Sequence, residues 1–163
     1  MTSSAKRISL WVPVGALIAG LAVAAGAIGA HLLEKRFHIQ YANQTYRQTM
    51  PDSVEPIVKP LSVKRLADFK TGAEYQLYHG LGLILLGLCA TWRPSAWWTA
   101  SGICLLLGVA GFSFGLYGLS ILNAPRLGAS VVPLGGILFL LGWTLFAVGS
   151  LRVTWPAEKT VQI

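Results

Sequence analysis

The sequence predicts an all-α membrane protein, a four-helix antiparallel transmembrane bundle with one long loop between helices 1 and 2. Three observations carry that expectation. Of the 163 residues, 54% are hydrophobic and only 12% charged, about half the charge usual in a soluble domain. The apolar residues gather in four runs, each near the roughly 20 residues needed to cross a hydrocarbon core of about 30 Å. Tryptophans at 11, 92, 97, 98 and 155 sit at run ends, where amphipathic rings settle at a membrane–water interface. Little remains for a separate soluble domain, so the chain reads as a single integral-membrane domain over 1–163.

The first span is expected over 8–31, behind Lys6 and Arg7. Its apolar run, Ile8 to Ala30, exceeds the roughly 7 to 15 residues of a signal-peptide core and is read as a retained helix. Residues 32–74 form a loop or cap. Pro51, Pro56 and Pro60 make 39–62 an irregular excursion, and an amphipathic approach helix follows from Ser62. The second span covers 75–92 and stops at Arg93-Pro94, the third covers 97–122, and the fourth covers 131–151, closed by Arg152. Short links at 93–96 and 123–130 force neighbouring helices to run antiparallel. Both termini then share one side. That side is read as cytoplasmic, the many cations of the long loop counting for less than those near short links.

A net charge of +7 would point to nucleic acid in a soluble protein. Here the cations flank apolar runs, as membrane anchors and topology signals do, so nucleic acid is set aside. The expected partners are the lipid bilayer and either a homo-oligomer or a larger membrane complex, in a bacterial inner (plasma) membrane. Cys89 and Cys104 lie inside apolar runs, where a thiol behaves as a small hydrophobe.

Small residues mark the packing faces. Ser101, Cys104, Gly108, Gly111, Gly115 and Gly118 follow a 3-4-3-4 spacing, which makes one stripe of the third helix open to close backbone approach. The first helix repeats the device with Ala22, Gly26 and Ala30, and with Ala25 and Gly29. The fourth carries Gly135, Gly142 and Gly149 at heptad spacing.

Polar groups inside hydrocarbon are costly and mark functional candidates. At 1.5 Å per residue, His79 lies about 20 Å below the Trp92 end, with Ser113 and Gly136 near about 24 Å and Tyr75, Tyr117 and His31 slightly deeper. One layer beneath the long loop is therefore expected to gather His31, Tyr75, Tyr78, His79, Ser113, Tyr117, Pro133 and Gly136 as a ligand-binding set. Tyr75 and His79 stand four apart, as do Glu74 and Tyr78, so each pair shares a helix face. In the structural reading, His31 caps the first helix near its C-terminus, and His79 bonds Tyr117, Ser113 or a carbonyl freed near Pro133. The same histidines suit ligand binding, proton relay or, as a further option, haem or metal ligation. No cofactor is predicted, and no HExxH, phosphate loop, GxSxG elbow or Ser/His/Asp set is visible, so no catalytic residue is assigned.

Four motifs in order carry a family resemblance: Gly26-Ala27-Ile28-Gly29-Ala30-His31; Phe69-Lys70-Thr71-Gly72 leading into Tyr75-Gln76-Leu77-Tyr78-His79; Phe112-Ser113 with Leu116-Tyr117; and Pro133-Leu134-Gly135-Gly136 with Gly142-Trp143. The chain resembles the YgdD-like family of small inner-membrane proteins, a domain of unknown function similar to the eukaryotic transmembrane protein 256 family. The resemblance implies a four-helix integral membrane protein and brings no reaction with it. The family typically has Gly-Ser where this chain has Phe114-Gly115, and Thr-Pro where it has Val132-Pro133. Two hydroxyls of the usual polar layer are thus missing, and the segment around 39–62 is longer than the family's link.

Two classes of function stay open. One is a membrane protein that binds a lipid, a quinone-like ligand or a membrane partner at the polar layer, an accessory or assembly role included. The other is an oligomeric small-solute or proton transporter or channel with His79 as relay. A membrane enzyme ranks behind both, because the layer holds acids and bases but no recognisable nucleophile.

Overall fold

A computed structural model of the chain describes residues 8–48 and 56–153. Helices α1 (Trp11–Gln40), α2 (Leu61–Trp92), α3 (Ala96–Leu122) and α4 (Leu127–Arg152) carry the fold, with a hairpin of β1 (Thr45–Gln48) and β2 (Ile57–Pro60) between α1 and α2. Among the described residues, α1, α3 and α4 are long and apolar enough to cross a membrane. The expected span 75–92 is the second half of the longer α2. Its mean hydropathy is held down by Tyr75, Gln76, Tyr78 and His79, four polar or amphipathic residues within five positions.

Two close helix pairs account for much of the packing. Between α1 and α2 the backbones nearly touch: a Cβ added to Gly15 would lie 2.6 Å from the Gly80 carbonyl oxygen, and one on Gly87 would lie 2.6 Å from the Val12 nitrogen. Between α3 and α4, Gly108 faces the Phe139 ring, Gly111 faces Gly135, Gly115 faces Val132 and Gly118 faces Leu127. Ser101 Oγ donates to the Gly142 carbonyl at 2.8 Å. The glycine stripe of α3 therefore meets α4, and Gly135 and Gly142 answer it. Leu83, Leu105, Val109 and Phe139 form a core joining α2, α3 and α4, with Trp11, Val14 and Ile18 of α1 packed against it.

One packing expectation is corrected. Among the described residues, a Cβ on Gly26 would meet nothing within 4 Å. Ala25, three residues beyond buried Ala22, packs toward the core instead, so Gly26 is turned aside. Periodicity places residues on a common face; it does not say at which turn the seam passes between positions three and four apart.

The described parts of the segment expected as an irregular excursion, 39–48 and 56–62, are more ordered. α1 runs through a π-helical turn at Gly29–Leu33 and continues to Gln40. Thr45 then pairs with Pro60 and Gln48 with Ile57 in antiparallel register. Pro60 sits in extended conformation just before α2, and Leu61 N–H donates to the Gln44 carbonyl. The approach helix expected from Ser62 exists and is continuous with the helix that holds residues 75–92. Pro51, Trp155 and the cations at 6, 7 and 159 lie outside the described residues.

Between the end of α1, the start of α2 and the end of α3, Leu33, Phe37, Tyr41 and Phe69 form a second core, closed by Tyr117 and Ile121. Tyr41 Oη donates to the Ser120 carbonyl at 2.9 Å. Arg65 Nη2 donates to Asn123 Oδ1 at 2.9 Å, where Asn123 ends α3 in the left-handed region at φ 50°. An asparagine tolerates that conformation better than most residues. The end of α1, the start of α2 and the end of α3 are thereby tied into one cap.

Candidate functional site

The centre of the site is His79, which is 5% exposed. Its Nδ1 lies 2.7 Å from the Tyr75 carbonyl oxygen. A carbonyl can only accept, so Nδ1 carries the proton and donates; in a neutral imidazole this bond leaves the lone pair on Nε2. The expected partners, Tyr117, Ser113 or a carbonyl near Pro133, are not the ones used; the carbonyl one turn back on the same helix is closer to hand. The imidazole stacks on Phe139 with ring centres 3.4 Å apart and planes 9° from parallel. Tyr75 and Trp143 flank it at 5.9 and 6.2 Å.

Around this ring the structure assembles much of the expected set. Tyr75 packs against Phe112 at 4.6 Å and against Tyr78 at 6.2 Å, and both tyrosines remain partly exposed. Gly136 lies beside Phe112. Tyr75, Tyr78, His79 and Gly136 thus belong to one aromatic cluster between α2, α3 and α4. Pro133 is exposed near the start of α4. His31 is exposed too, in the π-helical turn of α1. It does not cap a C-terminus, because α1 continues past it, and none of the ring contacts of His79 includes it. Among the described residues no group of three or more His, Cys, Asp or Glu is placed to hold a metal ion.

Tyr117 and Ser113 belong to a neighbouring cluster. Tyr117 Oη donates to Gln76 Oε1 at 2.9 Å, and Gln76 Nε2 donates to the Ile18 carbonyl at 3.0 Å. This relay crosses α3, α2 and α1 through Gln76, which is 2% exposed. Gln76 was missed as a site residue, although the signal was available: it is the one amide within the four apolar runs, and a buried amide must find partners. Gly72 admits the arrangement, since a Cβ there would lie 2.9 Å from the Tyr117 ring and 3.1 Å from the Ser113 carbonyl.

Ser113 itself is fully buried, and its Oγ has no hydrogen-bond partner among the described residues. The hydroxyls of Thr91, Ser120, Thr144 and Ser150 all donate to the carbonyl four residues back. Ser113 ends the π-helical turn Val109–Ser113, where the Val109 carbonyl instead takes the N–H of Phe114. Such turns recur at functional sites, and here two of them contain expected site residues, His31 and Ser113.

The family model described as "Protein of unknown function (DUF423)" matches residues 25–136. The chain belongs to that family. The DUF423 match runs from the second half of α1 through the cap, α2 and α3 into α4, and it takes in every residue of both clusters except Phe139, Trp143 and Ile18. Among similar proteins, a UPF0382 membrane protein of Staphylococcus saprophyticus is 31% identical over 147 residues, 90% of this chain and all of that one. The UPF0382 inner membrane protein YgdD of Escherichia coli K12 is 34% identical over 131 residues, 80% of this chain and 81% of that one. No solved structure matches the chain. With its three apolar helices, this DUF423 chain is an inner-membrane protein.

Proposed function

We propose that the chain is a four-span antiparallel bundle that binds a hydroxyl-bearing amphipathic ligand, a lipid or a quinol-like ring, at the His79 cluster, with no chemistry of its own. One observation carries this reading: His79 is held by Tyr75 and Phe139, while Nε2 makes no hydrogen bond among the described residues. A fixed acceptor beside exposed aromatic edges suits a hydroxyl donor attached to an apolar body. The fourth span is α2. Its apolar half packs along α1 with residue numbers rising on one helix as they fall on the other, and short links join α2 to α3 and α3 to α4. The termini then share one side. A larger membrane complex or a homo-oligomer would present the same face to a partner.

The test is native mass spectrometry of protein extracted in native lipid discs, with extraction of the bound small molecules. Wild type is expected to retain a hydroxyl-bearing lipid or quinol that His79→Leu loses, and His79→Gln, which keeps an acceptor, should retain part of it. The same ligand complement in wild type and His79→Leu overturns the proposal.

A further inference from the structure

A second candidate surface lies at the C-terminal end of α1, and none of its lining residues belongs to the His79 cluster. α1 is 30 residues long, about 45 Å at 1.5 Å per residue, against a hydrocarbon core of about 30 Å. With Trp11 at one interface, roughly its last ten residues stand beyond the hydrocarbon. That stretch buries Leu33 and Phe37 in the cap core. Its other face exposes Leu32, Lys35, Arg36, Ile39 and Gln40, which line an open groove of about 380 Å³.

The composition of this groove points to its occupant. Neither Lys35 nor Arg36 forms an ion pair among the described residues, whereas Lys64 and Arg65 both pair with Asp68. Glu34 is the one acidic neighbour in sequence, and it is exposed. Gln40 Nε2 is already engaged with the Ile121 carbonyl and Tyr41 Oη, so its side chain acts as a wall. The two cations are bracketed by aliphatic groups, Leu32 at 66% and Ile39 at 73% exposure. Leu32 continues the exposed row of Ile28 and Leu21 down the membrane-facing side of α1. A soluble anion would gain nothing from those aliphatic flanks. An anion joined to acyl chains would use both.

We propose that this groove binds the headgroup of an acidic phospholipid. The phosphate lies between Lys35 and Arg36, where the guanidinium can grip two oxygens at once, and an acyl chain follows Leu32 and Ile28 into the bilayer. Basic residues just outside a membrane span attract anionic lipid in the same way.

The experiment uses the full chain in nanodiscs of equal phosphatidylglycerol and phosphatidylcholine, with the lipids kept by the protein counted by native mass spectrometry. Wild type is expected to keep phosphatidylglycerol over phosphatidylcholine. The preference should fall roughly fivefold for each of Lys35→Gln and Arg36→Gln, and should stay unchanged in Lys64→Gln, whose cation is paired. All three positions are on the surface, so thermal unfolding should confirm intact folds. Equal retention of the two lipids by wild type, or an unchanged preference in Lys35→Gln/Arg36→Gln, overturns the proposal. Displacement of the bound lipid by millimolar inorganic phosphate would show a site for a soluble anion and overturn it as well.

Discussion

Replacing Gln76 with leucine would test whether the buried relay holds three helices together. Leucine keeps much of the volume but removes two hydrogen bonds, the one to the Ile18 carbonyl at 3.0 Å and the one from Tyr117 Oη at 2.9 Å. Ile18 lies inside α1, so its carbonyl keeps a helical partner and loses little. Tyr117 is worse placed: its hydroxyl is left with no partner in a half-buried setting, a penalty of about 1 to 3 kcal/mol. Interhelical side-chain bonds in membranes average nearer about 0.6 kcal/mol, so about 1 to 2 kcal/mol is expected for Gln76→Leu. Tyr117→Phe removes the phenol and leaves Gln76 one bond, for a loss of about 1 kcal/mol. The double variant should then lose less than the sum of the two, with a coupling near about 1 kcal/mol. Reversible unfolding in mixed micelles, followed by tryptophan fluorescence, gives all four stabilities. Strict additivity would refute the relay, since two groups that do not interact cannot rescue one another.

Further expectations concern packing and topology. Gly111→Leu drives a side chain into the Gly135 backbone, whose Cα would lie 3.1 Å from the first added carbon; it should cost about 1 to 3 kcal/mol or more, while exposed Leu106→Ala should cost well under that in the same unfolding assay. Ser113→Ala deletes a hydroxyl with no partner and should be neutral or stabilising by up to about 1 kcal/mol, whereas Ser101→Ala loses the 2.8 Å bond to Gly142 and should be destabilised by about as much. The reverse order would mean that the Ser113 hydroxyl has a partner inside the bundle. Reporter fusions at the two ends should report the same side, and opposite sides would show that α2 does not cross.

The helical fold and the α3–α4 seam were legible because their signals are local. Gly108, Gly111, Gly115 and Gly118 recur at helical spacing, and a stripe of missing side chains has few uses besides admitting another backbone. Gly26 carries the same signature, yet a Cβ there would meet nothing within 4 Å among the described residues. In a membrane both faces of a helix are apolar, so composition cannot say which one is covered. The hairpin escaped notice because each strand is four residues long and the prolines around it also read as loop. The site was half legible. The four-residue spacing brought Tyr75 and His79 together, but the ring stack on Phe139 depends on how α4 is rotated, and nothing in the spacing of either helix records that rotation. His31 fell away because the sequence gives no stop signal at its position; α1 carries on.

The three π-helical turns lie in α1, α3 and α4, and α2 has none. A π-helical turn closes its hydrogen bonds over five residues instead of four, so those three helices already contain a break in the α-helical ladder. α2 runs from Arg65 in the cap to His79 in the ring cluster on an unbroken ladder, about 21 Å over fourteen steps. It is the ruler of the molecule. One residue added or removed between those two positions would swing His79 by about 100° around the helix axis, away from Phe139, while every residue of both clusters remained in the sequence. Length between Arg65 and His79 should therefore tolerate less drift than any single side chain along it.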